Sequence, residues 1–252
     1  MKKKLKGFYL LLSSLFITLL HLPSAFAKPV PGKLSHKPAI LSTSSPDDSL
    51  RLITTHFKSV YDSLHLDLSG LSRQAFLYAQ KGWTKLVKQG KIINSSVMAI
   101  IDYSQSSDQK RLYIIDMKNY KLLFHTLVAH GRNSGKEWAS SFSNKPSSYK
   151  SSPGFYITGD TYFGSNGYSL KLNGIEKGIN DKALKRAIVM HGAGYVDESY
   201  IDGQGYIGRS QGCPAVPVDE ANDIIDAIKN GACLFIYPGN KTYISRSPVL
   251  RH

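Results

Sequence analysis

Two residue types that together can cleave an amide bond stand 22 residues apart in the C-terminal part of the chain. Cys213 lies in the run GRSQGCP at 208–214, and His191 follows the apolar stretch AIVM at 187–190. A thiol is mostly protonated at neutral pH, so a cysteine nucleophile needs a nearby base such as imidazole. The glycine-rich segment between the two residues can fold back on itself. The pair therefore predicts a thiol nucleophile and its general base.

The backbone around the cysteine adds a second chemical element. Gly208 and Gly212 allow the chain to turn sharply, so that the N–H groups of Gly212 and Cys213 face one point. Two such donors beside a nucleophile would form an oxyanion hole for acyl transfer. Ser210 is a weaker nucleophile candidate, and a structural hydrogen bond near His191 is the favoured interpretation of its hydroxyl.

The chain has two cysteines, and their surroundings differ. A single disulfide between Cys213 and Cys233 is the simple expectation for an exported protein, and it stays open as an alternative. Cys233 lies in the apolar run ACLFIY at 232–237, which is typical of a buried strand. A nucleophilic Cys213 would have to stay reduced, so we expect no bond between the two in the active protein.

The first 27 residues have the pattern of a signal peptide. Four lysines precede an apolar run over 8–20, and AFA at 25–27 supplies a small-x-small cleavage site. An uncleaved membrane anchor is disfavoured because the run falls short of the roughly 20 residues that a spanning helix needs. We expect a protein exported to the periplasm or cell envelope, or secreted, that meets the membrane only through this transient segment.

The charge and composition of the chain limit the classes of molecule that it is expected to bind. The 252 residues carry a net charge of +14, and removal of the four N-terminal lysines leaves +10. Such a charge favours contact with polyanions such as cell-wall polymers. Nucleic acid is disfavoured, because the basic residues are dispersed rather than striped. The aspartates show no metal-ligand spacing with the histidines, so we expect no metal and no cofactor.

The order of patterns predicts a mainly β domain with a few helices. Helical spacing begins at Leu50, and a second helix runs from a cap at Ser72 to Gly90, with Gly82 as a weak point. Strand-like runs and one late helix over 218–229 follow. The predicted strands are 97–103, 111–116, 122–129, 154–158, 168–172, 186–190 and 232–237. The predicted segments are a signal peptide at 1–27, a flexible leader at 28–46, an N-terminal helical segment at 47–92, a catalytic domain at 93–240 and a C-terminal tail at 241–252.

At this point the sequence resembles the murein L,D-transpeptidase catalytic domain, also called the YkuD-like domain. That family's pattern is His-Gly, a variable loop, and then Ser-His-Gly-Cys followed by an aliphatic residue and Arg. Here HG at 191–192 and SQGC at 210–213 match it. Gln211 replaces the usual His, and Pro214-Ala215 replaces the aliphatic-Arg pair, which is typical of a divergent branch with the pattern Ser-x-Gly-Cys-Pro. The resemblance implies a YkuD-like β-sandwich behind an N-terminal helical segment.

The resemblance also implies a reaction. Cys213 would attack the third-residue carbonyl of a peptidoglycan stem peptide and form a thioester, with His191 as base and the carbonyl of Gly192 holding the imidazole. An amine acceptor would make the chain a transpeptidase, and water would make it an L,D-carboxypeptidase. Carbapenem-type inhibitors would acylate the same thiol. A non-catalytic wall-binding protein that keeps the fold is the alternative from another class.

Five further residues are candidates for substrate contact. Arg209 could replace the missing cation of the family pattern, and Ser210 and Gln211 adjoin the thiol. Tyr162 lies in an aromatic, glycine-rich segment at 161–168 that is either a substrate-binding flap or a plain turn. His130 follows a strand and could line the cleft, although a structural or surface histidine is the favoured interpretation.

Overall fold

The computed structural model describes residues 60–251. The predicted signal peptide, the leader and most of the helix expected from Leu50 lie outside these residues, and only 60–63 of that helix are seen as helical. Between residues 60 and 251 no helix combines the length and the apolar character that crossing a membrane would require.

The described chain is built around one eight-stranded sheet, which confirms the mainly β class. All neighbouring strands are antiparallel except two parallel pairs, β1 with β8 and β6 with β7, and the spatial order is β3-β2-β1-β8-β4-β5-β6-β7. The strands are β1 Val97–Asp102, β2 Leu112–Asp116, β3 Lys121–Thr126, β4 Gly154–Gly164, β5 Gly167–Gly174, β6 Val189–Gly192, β7 Ala215–Val216 and β8 Cys233–Tyr237.

The sheet curls until its two ends meet. Beyond β3 the N–H of Ala129 donates to the carbonyl of Ala215 in β7 at 2.8 Å, and Gly131 forms a second bridge with Ser210. The β-sandwich implied by the resemblance thus takes the form of a single barrel-like sheet. This closure places the chain after β3 directly against the loop that carries Cys213.

Each face of the sheet covers its own hydrophobic core, as the alternation in β8 illustrates. Leu234 and Ile236 point into one core, here called the inner core, which also contains Ile225. Cys233 and Phe235 point into the other, here called the outer core, which also contains Phe76 of the helix over 73–88. Successive side chains of a strand face opposite sides, so one short apolar run contributes to both cores.

Besides the helical residues 60–63, four α-helices and a 3₁₀ turn flank the sheet within the described chain. They are α1 Arg73–Lys88, α2 Glu198–Gln204, α3 Ala221–Ile228 and α4 Lys241–Arg246, with the 3₁₀ turn at Leu184–Arg186. The predicted cap of α1 is present, since Ser72 Oγ accepts from the N–H of Ala75 at 3.3 Å. Gly82 does not interrupt the helix. It lets α1 approach the ring of Phe155, which occupies the space where a Cβ would stand.

The segment expected as a C-terminal tail is folded onto the sheet. It contains α4, and Tyr243, Val249 and Leu250 are buried in the outer core. The fully buried carboxylate of Glu176 binds this C-terminal segment through two hydrogen bonds. Tyr243 Oη donates to Glu176 Oε2 at 2.8 Å, and Ser247 Oγ donates to Glu176 Oε1. Two other elements were absent from the sequence expectation, the helix α2 and the two-residue strand β7.

Candidate active site

His191 is fixed by the sheet and by its own backbone. It lies in β6, where it pairs with Ser169 of β5 and Ala215 of β7. Its Nδ1 lies 2.9 Å from the carbonyl oxygen of Gly192, which can only accept, so Nδ1 carries the proton and Nε2 is left as a base. Burial lowers the pKa of His191, with the Gly192 hydrogen bond acting in the opposite direction. The imidazole is therefore neutral at pH 7.

The loop that carries Cys213 is held by one serine. Ser210 Oγ donates to the carbonyl oxygen of Cys213 at 2.6 Å and accepts from the N–H of Gly212 at 3.0 Å. Gly212 has φ of 122°, and a Cβ there would stand 2.8 Å from the Lys150 carbonyl oxygen. Only glycine fits this turn, and the one hydroxyl proton of Ser210 is used within it. Ser210 thus has a structural role, but its partners lie in its own loop and not at His191, where the hydrogen bond was predicted.

The same hydrogen bond corrects the expected oxyanion hole. The N–H of Gly212 was predicted to face the reacting carbonyl, but it is directed at Ser210 Oγ instead. The N–H of Cys213 has no hydrogen-bond partner among residues 60–251. Of the two predicted donors, the structure therefore leaves one, Cys213, free to bind a developing oxyanion.

The thiol of Cys213 is half-buried and meets the chain just before β6. Sγ lies 3.7 Å from the carbonyl oxygen of Ala187. Burial raises the pKa of the Cys213 thiol, while a hydrogen bond from the backbone of Val189 and the positive charge of Arg186 act in the opposite direction. Within the described chain no hydrogen bond joins the thiol to His191. The resting pair is thus a neutral thiol and a neutral imidazole, rather than a preformed ion pair.

Both residues line one cavity of about 820 Å³. Three guanidinium groups border it, those of Arg132, Arg186 and Arg209, and no Asp or Glu is among the described residues of its wall. A cleft lined by charges of one sign raises the local concentration of oppositely charged ligands. The cavity is suited to a ligand that carries carboxylates.

Arg186 is one of the cavity residues that the sequence did not predict, as is Arg132. Arg186 was assigned to the start of a strand over 186–190, but it ends the 3₁₀ turn, and β6 begins only at Val189. Its Nη1 donates to Ser143 O at 2.9 Å and Ser152 Oγ at 2.6 Å, and its Nη2 donates to Lys150 O at 2.7 Å. Arg186 thereby fixes the polar loop over 143–152 beside the thiol. The apolar run that follows Arg186 in the sequence did not indicate that its side chain binds this loop.

Arg209 and Gln211 reach the same cavity from the cysteine loop. Gln211 is exposed on its wall. Arg209 Nη1 donates to the carbonyl oxygens of Arg132, at 3.3 Å, and Gly135, at 3.1 Å. The predicted cation is therefore present at the cavity, and part of its hydrogen-bonding capacity holds the neighbouring loop.

Neither His130 nor Tyr162, both candidates for substrate contact, lines the cavity. His130 is completely buried, where Nδ1 accepts from Arg111 Nη2 at 2.8 Å and Nε2 lies 3.3 Å from Gly135 O, so no substrate can reach it. In the β4–β5 hairpin the cavity is lined by Ser165 and Asn166 at the tip and not by Tyr162. Aromatic composition identified the right hairpin but the wrong residue.

The two cysteines are both free and lie in different environments. Cys233 is fully buried in the outer core, whereas Cys213 packs against the inner core from the cavity side. Because the two thiols pack against the cores on opposite faces of the sheet, a disulfide between them would have to cross it.

Comparison with known proteins places this site in a family. No curated protein matches the chain. Among solved structures, an L,D-transpeptidase from Mycobacterium smegmatis is 12% identical over 56% of this chain, with a TM-score of 0.35. One from Stackebrandtia nassauensis is 14% identical over 73% of this chain and 78% of that one, with a TM-score of 0.35. The match spans 58% of the Mycobacterium smegmatis chain.

The profile of one family, described as the L,D-transpeptidase catalytic domain, matches residues 67–237. The match takes in more than half of the chain and includes both His191 and Cys213. The protein therefore belongs to the L,D-transpeptidase catalytic domain family.

Proposed function

We propose that this protein is a cysteine acyltransferase that acts on the stem peptides of peptidoglycan. The observation that carries the proposal is the placement of Cys213 and His191 on one cavity, with the imidazole oriented by the Gly192 carbonyl at 2.9 Å. A nucleophile, a base and a group that orients the base are the minimum set for nucleophilic acyl transfer. Membership of the family supports the same chemistry.

In the first half-reaction the thiol turns from Ala187 O toward Nε2 of His191. Nε2 takes the proton as the sulfur attacks the carbonyl carbon of the third stem residue. The carbonyl oxygen becomes an oxyanion, to which the N–H of Cys213 donates. Collapse breaks the amide bond to the terminal D-alanine, whose amine leaves with the proton from His191. The product is a thioester on Cys213.

In the second half-reaction an acceptor attacks the thioester. His191 removes a proton from the acceptor and returns it to the departing sulfur, which restores the thiol. An amine acceptor yields a new peptide cross-link, and water yields a shortened stem peptide. Three arginines at the cavity favour stem peptides through their carboxylates, with Arg186 and Arg209 already held in place by backbone carbonyls.

The proposed substrate also requires export. We propose that the segment 1–27 directs the chain out of the cytoplasm and is removed after Ala27. N-terminal sequencing of the protein from the cell envelope tests this, with Lys28 expected as the first residue.

The experiment that tests the activity is incubation of the purified protein with sacculi, followed by chromatography and mass spectrometry of the muropeptides. We expect loss of D-alanine from tetrapeptide stems, together with new cross-linked dimers or tripeptides. Cys213→Ala should abolish both. Persistence of the same product profile in Cys213→Ala would overturn the proposal.

The matched control is Cys233→Ala, which removes the other thiol. Cys233 lies in the outer core, remote from the cavity wall, so this variant should keep the product profile of the parent. Intact mass after exposure to a carbapenem provides a second readout. We expect one adduct on the parent and on Cys233→Ala, and none on Cys213→Ala.

A further inference from the structure

A second cavity, of about 750 Å³, opens on the other side of the polar loop. Its walls come from three segments, 140–145, 177–182 and the 240–246 region that contains α4, together with Pro153. Neither Cys213 nor His191 lines it. The fold of the C-terminal segment therefore creates a site that the chemistry described above does not use.

The charge of this second cavity is strongly positive. Lys145, Lys177, Lys182 and Arg246 border it, all are exposed, and none forms an ion pair within residues 60–251. The one carboxylate on its wall is already engaged, since Asp181 Oδ1 accepts from Asn144 Nδ2 at 2.8 Å and from the N–H of Gly178 at 2.7 Å. Asp181 stays ionised, because these neutral donors lower the pKa of its carboxyl, so four cations face the cavity against one carboxylate.

The floor of the second cavity differs from its rim. Phe142 and Ile179 are half-buried there, beside the buried Tyr243. An apolar floor can pack against the face of a sugar ring or an aliphatic side chain, while the cations bind carboxylates. This combination favours a large ligand with both kinds of group over a simple inorganic ion.

One loop forms a wall of both cavities. Ser143 lines the second cavity, and its carbonyl oxygen accepts from Arg186 of the catalytic cavity at 2.9 Å. Further along the same loop, Ser147 and Tyr149 line the catalytic side. Lys150 Nζ braces the loop internally by donating to Ser141 Oγ at 2.6 Å. A long polymer that enters one cavity can therefore extend over this loop into the other.

We propose that the second cavity binds the carboxylate-bearing peptidoglycan polymer at a point away from the thiol. This inference rests on the proposed function. A soluble tetrapeptide would occupy only the catalytic cavity, whereas a polymer would contact both cavities. The second cavity would then contribute to recognition of the intact wall and not to the chemical step.

The test compares two triple variants of equal charge. Lys145→Gln, Lys177→Gln and Lys182→Gln together remove three cations from the second cavity. Lys81→Gln, Lys88→Gln and Lys91→Gln remove three exposed cations at and just beyond α1. For each protein we would measure turnover of sacculi, turnover of a soluble tetrapeptide, and cosedimentation with sacculi. The cavity variant should lower the ratio of polymer to peptide turnover roughly tenfold and weaken cosedimentation similarly, and the α1 variant should match the parent.

Equal losses in the two triple variants would overturn the inference, because overall charge would then account for wall binding. Displacement of the protein from sacculi by polyphosphate at lower concentration than by soluble peptidoglycan chains would also overturn it, since the cavity would then prefer phosphate-bearing polymers. Failure of the proposed function would give a different result from failure of this inference. If the proposed function were wrong, the parent protein would turn over neither substrate, but cosedimentation would still show whether the second cavity binds the wall.

Discussion

His191 and Ala215 lie opposite each other in the short parallel ladder between β6 and β7. Ala215 follows Cys213 by two residues, so this ladder ties the strand of the base to the loop of the nucleophile. Ala129 contacts the same residue from the other edge of the sheet at 2.8 Å. Three segments remote in sequence thus converge at Ala215, which explains how a 22-residue separation becomes a shared cavity.

The neutral state of His191 predicts how kcat/KM depends on pH on the acid side. Burial lowers the pKa of His191 below its ordinary 6.5, and only the unprotonated imidazole can accept the thiol proton. We expect kcat/KM to rise with pH through a midpoint below 6.5 and then to level off. His191→Gln should lower kcat/KM by about 10²–10⁴-fold and abolish that rise. A midpoint well above 6.5 would show that a different group is titrating.

The charge of Arg186 predicts the reactivity of the thiol. Burial raises the pKa of Cys213, and Arg186 opposes that rise. Arg186→Met should therefore move the pH midpoint for alkylation of Cys213 by iodoacetamide upward. Arg186→Lys keeps the charge, although it loses the hydrogen bonds to the loop, so its midpoint should stay closer to that of the parent. The rate is measured by intact mass, with Cys213→Ala as the blank.

These two arginine variants separate charge from loop positioning. If Arg186 acts only by holding the loop, both variants should perturb the alkylation midpoint equally. If its charge acts on the thiol, Arg186→Met alone should shift the midpoint strongly. Unchanged midpoints in both would contradict an electrostatic contact between Arg186 and Cys213.

His130 predicts a loss of stability in acid. Burial and the adjacent Arg111 lower the pKa of His130 to about 3, so the folded protein holds this imidazole neutral. The unfolded chain binds a proton near pH 6.5. The stabilising contribution of neutral His130 is therefore complete above pH 6.5 and is lost as pH falls toward 3. This one proton gives a slope of about 1.4 kcal/mol per pH unit.

The measurement is urea unfolding of the parent and His130→Gln between pH 7 and pH 4. Glutamine can accept from Arg111 and donate to Gly135 O, but it does not titrate. We expect the variant to be less stable at pH 7, and the gap to close as the pH falls. Parallel curves would contradict the prediction, because they would mean that His130 takes up its proton at the same pH in the folded and the unfolded chain.

Local sequence patterns predicted most of the strands, because runs of β-branched and aromatic residues favour strands whatever lies elsewhere in the chain. The two-residue β7 has no such pattern, since its pairing depends on the closed sheet. His191 and Cys213 were found because their chemistry requires particular residue types. Arg186 and His130 could not be assigned from sequence. Contacts with Ser143 and Arg111, made only in the folded chain, determine what they do.

The close packing at Gly82 predicts that replacing it by alanine destabilises the protein, although helix propensity alone would favour alanine. Alanine is favoured over glycine in a helix by about 1 kcal/mol. However, a Cβ at Gly82 would stand 2.0 Å from Cζ of Phe155, a ring that is fully buried and stacked on Phe235 at 4.3 Å. Because the ring has no room to move, Gly82→Ala should lower the free energy of unfolding by about 1–3 kcal/mol.

Gly203 is the matched control for this prediction. It lies inside α2, and a Cβ there would meet no atom within 4 Å. Gly203→Ala should therefore leave stability unchanged or raise it by up to about 1 kcal/mol. Urea unfolding of the two variants under one condition gives the comparison. If Gly82→Ala were as stable as Gly203→Ala, α1 would not pack against Phe155 as closely as the structure places it, and the outer core behind β8 would have to be looser.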